Sequence, residues 1–169
     1  KEHFRKNGEP YFYHLFATAK NIAELNMGAV TVASGFLHDT IEDTKVTPED
    51  IEREFGKEIL FLVEGVTKLG KIRYQGRERY NESLRKLFVA MSQDIRVLII
   101  KLCDRLHNMQ TLEFIPKEKQ LRIAKETLEI YAPIAYRLGI KSLQRDREGL
   151  GVACVYPKED GGIKKILKK

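Results

Sequence analysis

Phe36-Leu37-His38-Asp39-Thr40-Ile41-Glu42-Asp43 sets one imidazole and three carboxyl groups within two helical turns. Glu42 follows His38 by four residues and Asp43 follows Asp39 by four, spacings that stack side chains on one helix face. Phe36, Leu37 and Ile41 supply the apolar side, and the pattern predicts one helix from Val30 to about Asp43. An adjacent His-Asp pair offers an imidazole nitrogen and a carboxylate oxygen to one cation, a donor set suited to zinc, manganese or iron. Two ligands rarely hold a metal, so a site here needs donors from other segments. From these eight residues alone, a polar helix end with its acids in water reads equally well.

Upstream, Gly28 separates this helix from another that runs from Pro10 to about Asn26. Its expected buried stripe is Leu15, Ala19, Ile22 and Leu25. His14 sits near its start, between Tyr11 and Thr18; a lone histidine there is most simply a boundary residue, until His38-Asp39 is set beside it. Arg5-Lys6-Asn7-Gly8-Glu9-Pro10 reads as a basic turn. Gly35 lies inside the second helix at a cost of about 1 kcal/mol against alanine, which points to close approach of another helix.

Downstream, Thr47-Pro48-Glu49-Asp50 is a helix start, with Thr47 as N-cap and Pro48 at the first helical position, and that helix ends near Phe55-Gly56. Lys57 to Leu69 is the next, with Ile59, Leu62, Val63 and Val66 on one face. The basic stretch 71–80 reads as a long loop, open to being a flap over an anion or a solvated connection. Asn81 caps a helix carrying Leu84, Leu87, Phe88 and Met91. Val97-Leu98-Ile99-Ile100 has strand propensity, but Leu98, Leu102, Leu106 and Met109 keep helical spacing, so Asp94 to Leu112 reads as one buried helix. Asp104, His107, Asn108 and Thr111 form a polar stripe on it that needs partners: a metal and ligand, or hydrogen bonds between helices. Pro116 opens a helix with the stripe Leu121, Ala124, Leu128 and Tyr131, Pro133 breaks or kinks it, and Gly139 ends it.

The chain is long enough, at 169 residues, for one domain with a real core. Hydrophobic residues at 43% and charged residues at 32% exclude a disordered chain, and the net charge of +6 favours anionic partners. Cys103 and Cys154 form no CxxC, so neither a disulfide framework nor a thiolate zinc site is indicated. No apolar run is long enough to span a membrane, and Lys1-Glu2-His3-Phe4-Arg5-Lys6 is no signal peptide, so the cytoplasm is expected. The chain does not begin with Met and reads as a fragment of something longer. The fold class is all-α, a helical bundle with a metal site between helices: His14, His38-Asp39 and Asp104 come from three separated helices.

That order of His, His-Asp and Asp resembles the HD-domain metal-dependent phosphohydrolases. More closely, the chain resembles the N-terminal hydrolase domain of the long bifunctional Rel/SpoT-type alarmone enzymes. The resemblance rests on Arg5 to Tyr11 with His14, on Leu37 to Thr44, on Val66-Thr67-Lys68-Leu69, on Asp94-Ile95-Arg96-Val97, on Ile100 to Met109 and on Ile130 to Gly139. It implies manganese-dependent hydrolysis of the 3′-pyrophosphate of (p)ppGpp in stringent-response alarmone turnover. By that resemblance His14, His38, Asp39 and Asp104 are the metal ligands, Glu42 and Asp43 the catalytic acidic pair, and His107 a non-ligand. Arg5, Lys6 and Asn7 with Asn108 and Thr111 meet the guanine. Leu15 stands where the family usually has Pro, and Asn7 where it has Ser. The implied layout is a hydrolase domain over 1–140 and a helical or linker segment over 141–169, leading toward a synthetase domain absent here. Synthetase and regulatory domains are the expected neighbours, a guanine nucleotide the expected partner, and nucleic acid is not expected. Two other readings stay open: an HD hydrolase for a different nucleotide, and a regulatory domain that binds nucleotide without turnover.

Overall fold

A computed structural model describes residues 4, 5, 8–70, 85, 88, 89 and 92–140. The expected loop at 71–80, most of the helix expected after Asn81 and the segment 141–169 lie outside the described residues. The chain forms two compact units, 1–104 and 105–169. Among the described residues regular structure is helical, and no helix is long and apolar enough to cross a membrane.

In the first unit the basic turn forms as read. The Arg5 amide donates to the Glu9 carbonyl at 2.8 Å and Gly8, at φ 82°, donates back to Arg5 at 2.9 Å. Pro10 pairs with Phe4 in an isolated bridge, so helix α1 starts two residues later than expected and spans Phe12–Glu24. Its end is set by Asn26, which takes φ 56° and donates to the Ala23 carbonyl. The buried stripe of α1 is His14, Thr18, Ala19 and Ile22. Leu15 and Leu25, expected in it, are only half-buried, because the face turned inward carries the polar pair His14 and Thr18.

The single helix expected over Val30 to Asp43 is two: α2 (Ala29–Leu37) and the one-turn α3 (Thr40–Asp43). The break falls at Asp39, whose backbone sits at φ −101° and ψ 0° and whose carbonyl accepts both the Glu42 and the Asp43 amides, at 3.1 and 2.9 Å. Gly35 does what its position suggested. A Cβ there would collide with Ile22 Cδ1 and stand 3.5 Å from the Ala19 Cα, so α1 and α2 touch at the backbone.

Helix α4 (Pro48–Phe55) opens with a complete capping box between Thr47 and Asp50 and closes at Gly56, φ 86°. Helix α5 (Lys57–Gly70) buries Ile59, Leu62, Val63, Val66 and Leu69. Ile51, Ile59 and Val63 form a core against Val30, Ala33, Leu37 and Ile41, which locks α2 and α3 onto α4 and α5. Helix α6 (Ile95–Gln110) is helical throughout, as its spacing predicted. A Cβ on Gly65 would lie 2.7 Å from Val97 Cγ2, so α5 and α6 are also in close contact. Arg96 fixes the start of α6, donating to Glu58 Oε1 and Asp94 Oδ2, each at 2.7 Å.

In the second unit a 3₁₀ turn (Leu112–Phe114) leads to α7 (Lys117–Glu126), a π-helical turn (Thr127–Tyr131) and α8 (Ala132–Arg137). Pro133 sits where the helix is interrupted, just after the π-helical turn that separates α7 from α8. It lacks an N–H, and the preceding turn widens so that the Ala132 amide reaches the Thr127 carbonyl. The extra residue in that turn shifts the apolar stripe from Thr127 onward. Leu121 is exposed and Leu128 half-buried, while Ala124, Thr127, Ile130 and Tyr131 are buried. The Arg105 guanidinium lies 4.8 Å from the Tyr131 ring centre and 3.2 Å from Glu126 Oε2. Gly139 takes φ 71°, the C-cap conformation expected of it.

Candidate metal centre

Three segments of the first unit bring the chemistry together. His14 is buried on α1, His38 is buried at the end of α2, Asp39 precedes α3 and Asp104 is buried on α6. One donor atom from each of His14, His38 and Asp39 lies within 4.8 Å of the others. His14 Nε2 is 3.4 Å from both Asp39 Oδ2 and Asp104 Oδ1. His38 Nε2 is 3.1 Å from Asp39 Oδ2 and 3.7 Å from Asp104 Oδ1. Ligands at right angles around a first-row ion, with bonds of about 2.1 Å, stand about 3 Å apart, close to these separations.

The orientation of His38 is fixed from behind. Its Nδ1–H donates to the Gly35 carbonyl at 2.7 Å, which turns Nε2 toward the carboxylates. That Nε2 is buried and, among the described residues, has no partner aligned for a hydrogen bond. An imidazole held by one nitrogen with the other aimed into a carboxylate pair is the arrangement a metal ligand needs. The electrostatics agree. Burial opposes charge on His38, but the Asp104 and Asp39 carboxylates outweigh it and push the imidazole up to about 10. Burial likewise opposes charge on Asp39, yet the two histidines hold its carboxyl below the usual range. Asp104 is held well below it against the same penalty, by Lys101 and the histidines. A field that attracts a proton so strongly attracts a divalent cation for the same reason.

Two side chains at the centre were not singled out by the sequence reading. The Tyr11 hydroxyl lies 2.5 Å from Asp39 Oδ2 and 2.8 Å from Asp43 Oδ2, and burial plus the Asp39 charge pushes its pKa up. It ties a candidate ligand to one of the candidate catalytic acids. Lys101 Nζ donates to Asp104 Oδ2 at 2.7 Å, with Lys101 itself 9% exposed. Both were legible only as spacings, Tyr11 one turn before His14 and Lys101 one turn before Asp104.

Glu42 and Asp43 are exposed, on α3 beside the buried cluster. A cavity of about 630 Å³ opens there, lined by Asp39 and Asp43 with Phe4, Tyr11, Phe12 and Leu15, a size ordinary for a small-molecule site. Of the expected base-reading residues, Arg5 lies in the N-terminal turn, and Lys6 and Asn7 lie outside the described residues. Asn108 is on α6, and Thr111 follows its end with Oγ1 donating to the His107 carbonyl at 3.0 Å.

Residues 1–141 match the HD-domain family. The chain belongs to the HD-domain family. This HD domain is 47% identical over 165 residues to the bifunctional (p)ppGpp synthase/hydrolase SpoT of Escherichia coli K12, covering 97% of this chain and 24% of that protein. It is 49% identical over 154 residues to a GTP pyrophosphokinase of Streptomyces coelicolor, covering 91% of this chain and 18% of that protein. The domain thus spans a minor part of the length of the curated relatives it matches. Its fold also matches a solved metazoan orthologue of SpoT described as hydrolysing ppGpp, with a TM-score of 0.57 at 19% identity over 89% of this chain and 84% of that one.

Proposed function

We propose that this HD domain hydrolyses the 3′-pyrophosphate of ppGpp and pppGpp in alarmone turnover, using one manganese ion held by His14, His38, Asp39 and Asp104. The observation that carries the reading is the buried pair of imidazoles facing two carboxylates, with His38 Nε2 aimed among them, 3.1 Å from Asp39 Oδ2 and 3.7 Å from Asp104 Oδ1. The substrate follows from what the relatives are named for. When bound, the ion lowers the pKa of a water and offsets charge on phosphate oxygens. In the reaction the water oxygen bonds to the phosphorus joined to O3′ and the P–O3′ bond breaks. O3′ takes up a proton, and the products are GDP or GTP and pyrophosphate. Glu42 or Asp43 accepts the proton of the attacking water, and Tyr11 orients Asp43 for that work. The cytoplasm is the setting, and synthetase and regulatory domains are its neighbours in a full-length protein.

Arg5, Lys6 and Asn7 with Asn108 and Thr111 read the guanine in this account. A planar guanidinium stacks on a base, and amide or hydroxyl groups pair with its polar edge. Each such group left unpaired against adenine costs about 1–3 kcal/mol, enough for a strong preference. Incubation with ppGpp and Mn²⁺, with products separated by chromatography, tests the activity. GDP and pyrophosphate are expected only when metal is present, and their absence overturns the reading. Comparing kcat/KM for ppGpp and its adenosine analogue tests the pocket: Asn108→Ala and Thr111→Ala are expected to raise KM and narrow the preference while keeping the metal. Equal values in the wild type remove the guanine pocket and leave the hydrolase.

A further inference from the structure

We propose that Lys101 is a positioning residue that restricts Asp104 to one coordinating oxygen, keeping a position at the metal open for water or substrate. The inference rests on the metal-centre reading above. Asp104 presents its two oxygens to different partners. Oδ1 faces His14 Nε2 and His38 Nε2 at 3.4 and 3.7 Å, and Oδ2 accepts from Lys101 Nζ at 2.7 Å. Both side chains are buried, so this is a fixed pair and not a solvent-screened one.

The surroundings show why a lysine is placed there. A Cβ on Gly70 would stand 3.6 Å from Lys101 Nζ and 3.7 and 3.8 Å from the two Glu42 carboxylate oxygens. The ammonium and the Glu42 carboxylate therefore border the same small space at the end of α5. An ammonium has three hydrogens and can serve both acids at once. A cation beside a metal site repels the metal, so Lys101 is not there to tighten binding. What it supplies is direction: with Oδ2 committed, Asp104 cannot chelate through both oxygens.

This argument predicts a split that a packing role does not. Lys101→Met frees Oδ2 and removes a repelling charge, so metal affinity is expected to hold or rise while turnover falls. Cobalt(II) is the probe, because its visible absorption changes when a water ligand is replaced by a second carboxylate oxygen. The wild-type domain and Lys101→Met are loaded with cobalt, and affinity by calorimetry, visible absorption, and kcat for ppGpp at saturating metal are compared. Expected are equal or tighter binding, a visible band that differs from the wild type and a kcat about 10–100-fold lower. Lys101→Arg, which returns a donor to Oδ2, is expected to restore the band. An unchanged band, or a lost affinity with kcat restored at saturating metal, overturns the role. If circular dichroism shows Lys101→Met unfolded, Lys101→Leu, a second variant that removes the donor, is read by the same criteria: a changed band with lower kcat supports the role, and an unchanged band overturns it. Wild type that binds no cobalt refutes the metal centre itself. Wild type that binds cobalt and leaves ppGpp intact refutes the substrate, and the band still decides Lys101.

Discussion

Helix α4 begins where its own residues start it: Thr47 caps, Pro48 sits at the first position, and Asp50 returns the hydrogen bond. Helix α2 stops at Leu37 although Phe36-Leu37-His38-Asp39-Thr40 contains neither proline nor glycine. The difference is in where the partners are. The Thr47 and Asp50 groups satisfy each other three residues apart, and Arg53, which also donates to Asp50, is as near. Asp39 is pulled by groups from α1 and α2, the Tyr11 hydroxyl and the two imidazoles, and it settles at a sparsely populated backbone conformation common at active sites. Local chemistry decides a helix end that has no other duty; tertiary partners decide one that carries a site.

The strongest way to break this comparison is to remove a donor from the site side. His38→Ala and Asp104→Ala are each expected to abolish metal binding and hydrolysis. Elemental analysis showing full manganese in both would cancel the assignment. Next come the acids on α3. Glu42→Gln and Asp43→Asn are expected to lower kcat by about 10²–10⁴-fold with metal content unchanged, as loss of an acid–base group does. Wild-type turnover in both variants would exclude them from the mechanism.

The frame should respond in stability and not in metal content. Gly35→Ala places a methyl against Ile22 and is expected to cost about 1–3 kcal/mol in urea unfolding, because the α1–α2 contact has no room to absorb it. Thr47→Ala is expected to cost the least, about 1 kcal/mol, with manganese stoichiometry unaltered. A loss of metal in Thr47→Ala would mean that the two regions are coupled and that the contrast between them is false.

The same contrast explains what could be read in advance. The caps of α4, the buried face of α5 and the helical course of Ile95 to Gln110 follow from local spacing and were legible. The close approach at Gly35 was legible from the glycine itself, although Ile22 and Ala19 lie on another helix. His14, His38, Asp39 and Asp104 were legible as an ordered pattern, and the structure brings them together. Tyr11 was passed over because its carboxylate partners lie 28 and 32 residues away, and a tyrosine beside aromatics looks like wall. Lys101 was passed over because a lysine in a helix looks like surface, and only burial reveals it as a partner. The stripe was misjudged at Leu128 because Leu128 lies inside the π-helical turn, where the spacing is no longer about 3.6 residues. That turn does not explain the exposure of Leu121, which precedes it.

The Arg96 clamp fixes more than the start of α6. From Arg96, held to Glu58 and Asp94, the backbone runs as unbroken helix to Asp104. Each residue of an α-helix advances about 1.5 Å and turns about 100°. The clamp and the Val97–Gly65 contact therefore act as an index mark, and the count of residues to Asp104 sets the compass bearing of its carboxylate. The length of that interval is therefore fixed: one residue more or fewer would swing the carboxylate about a quarter-turn away from the histidines.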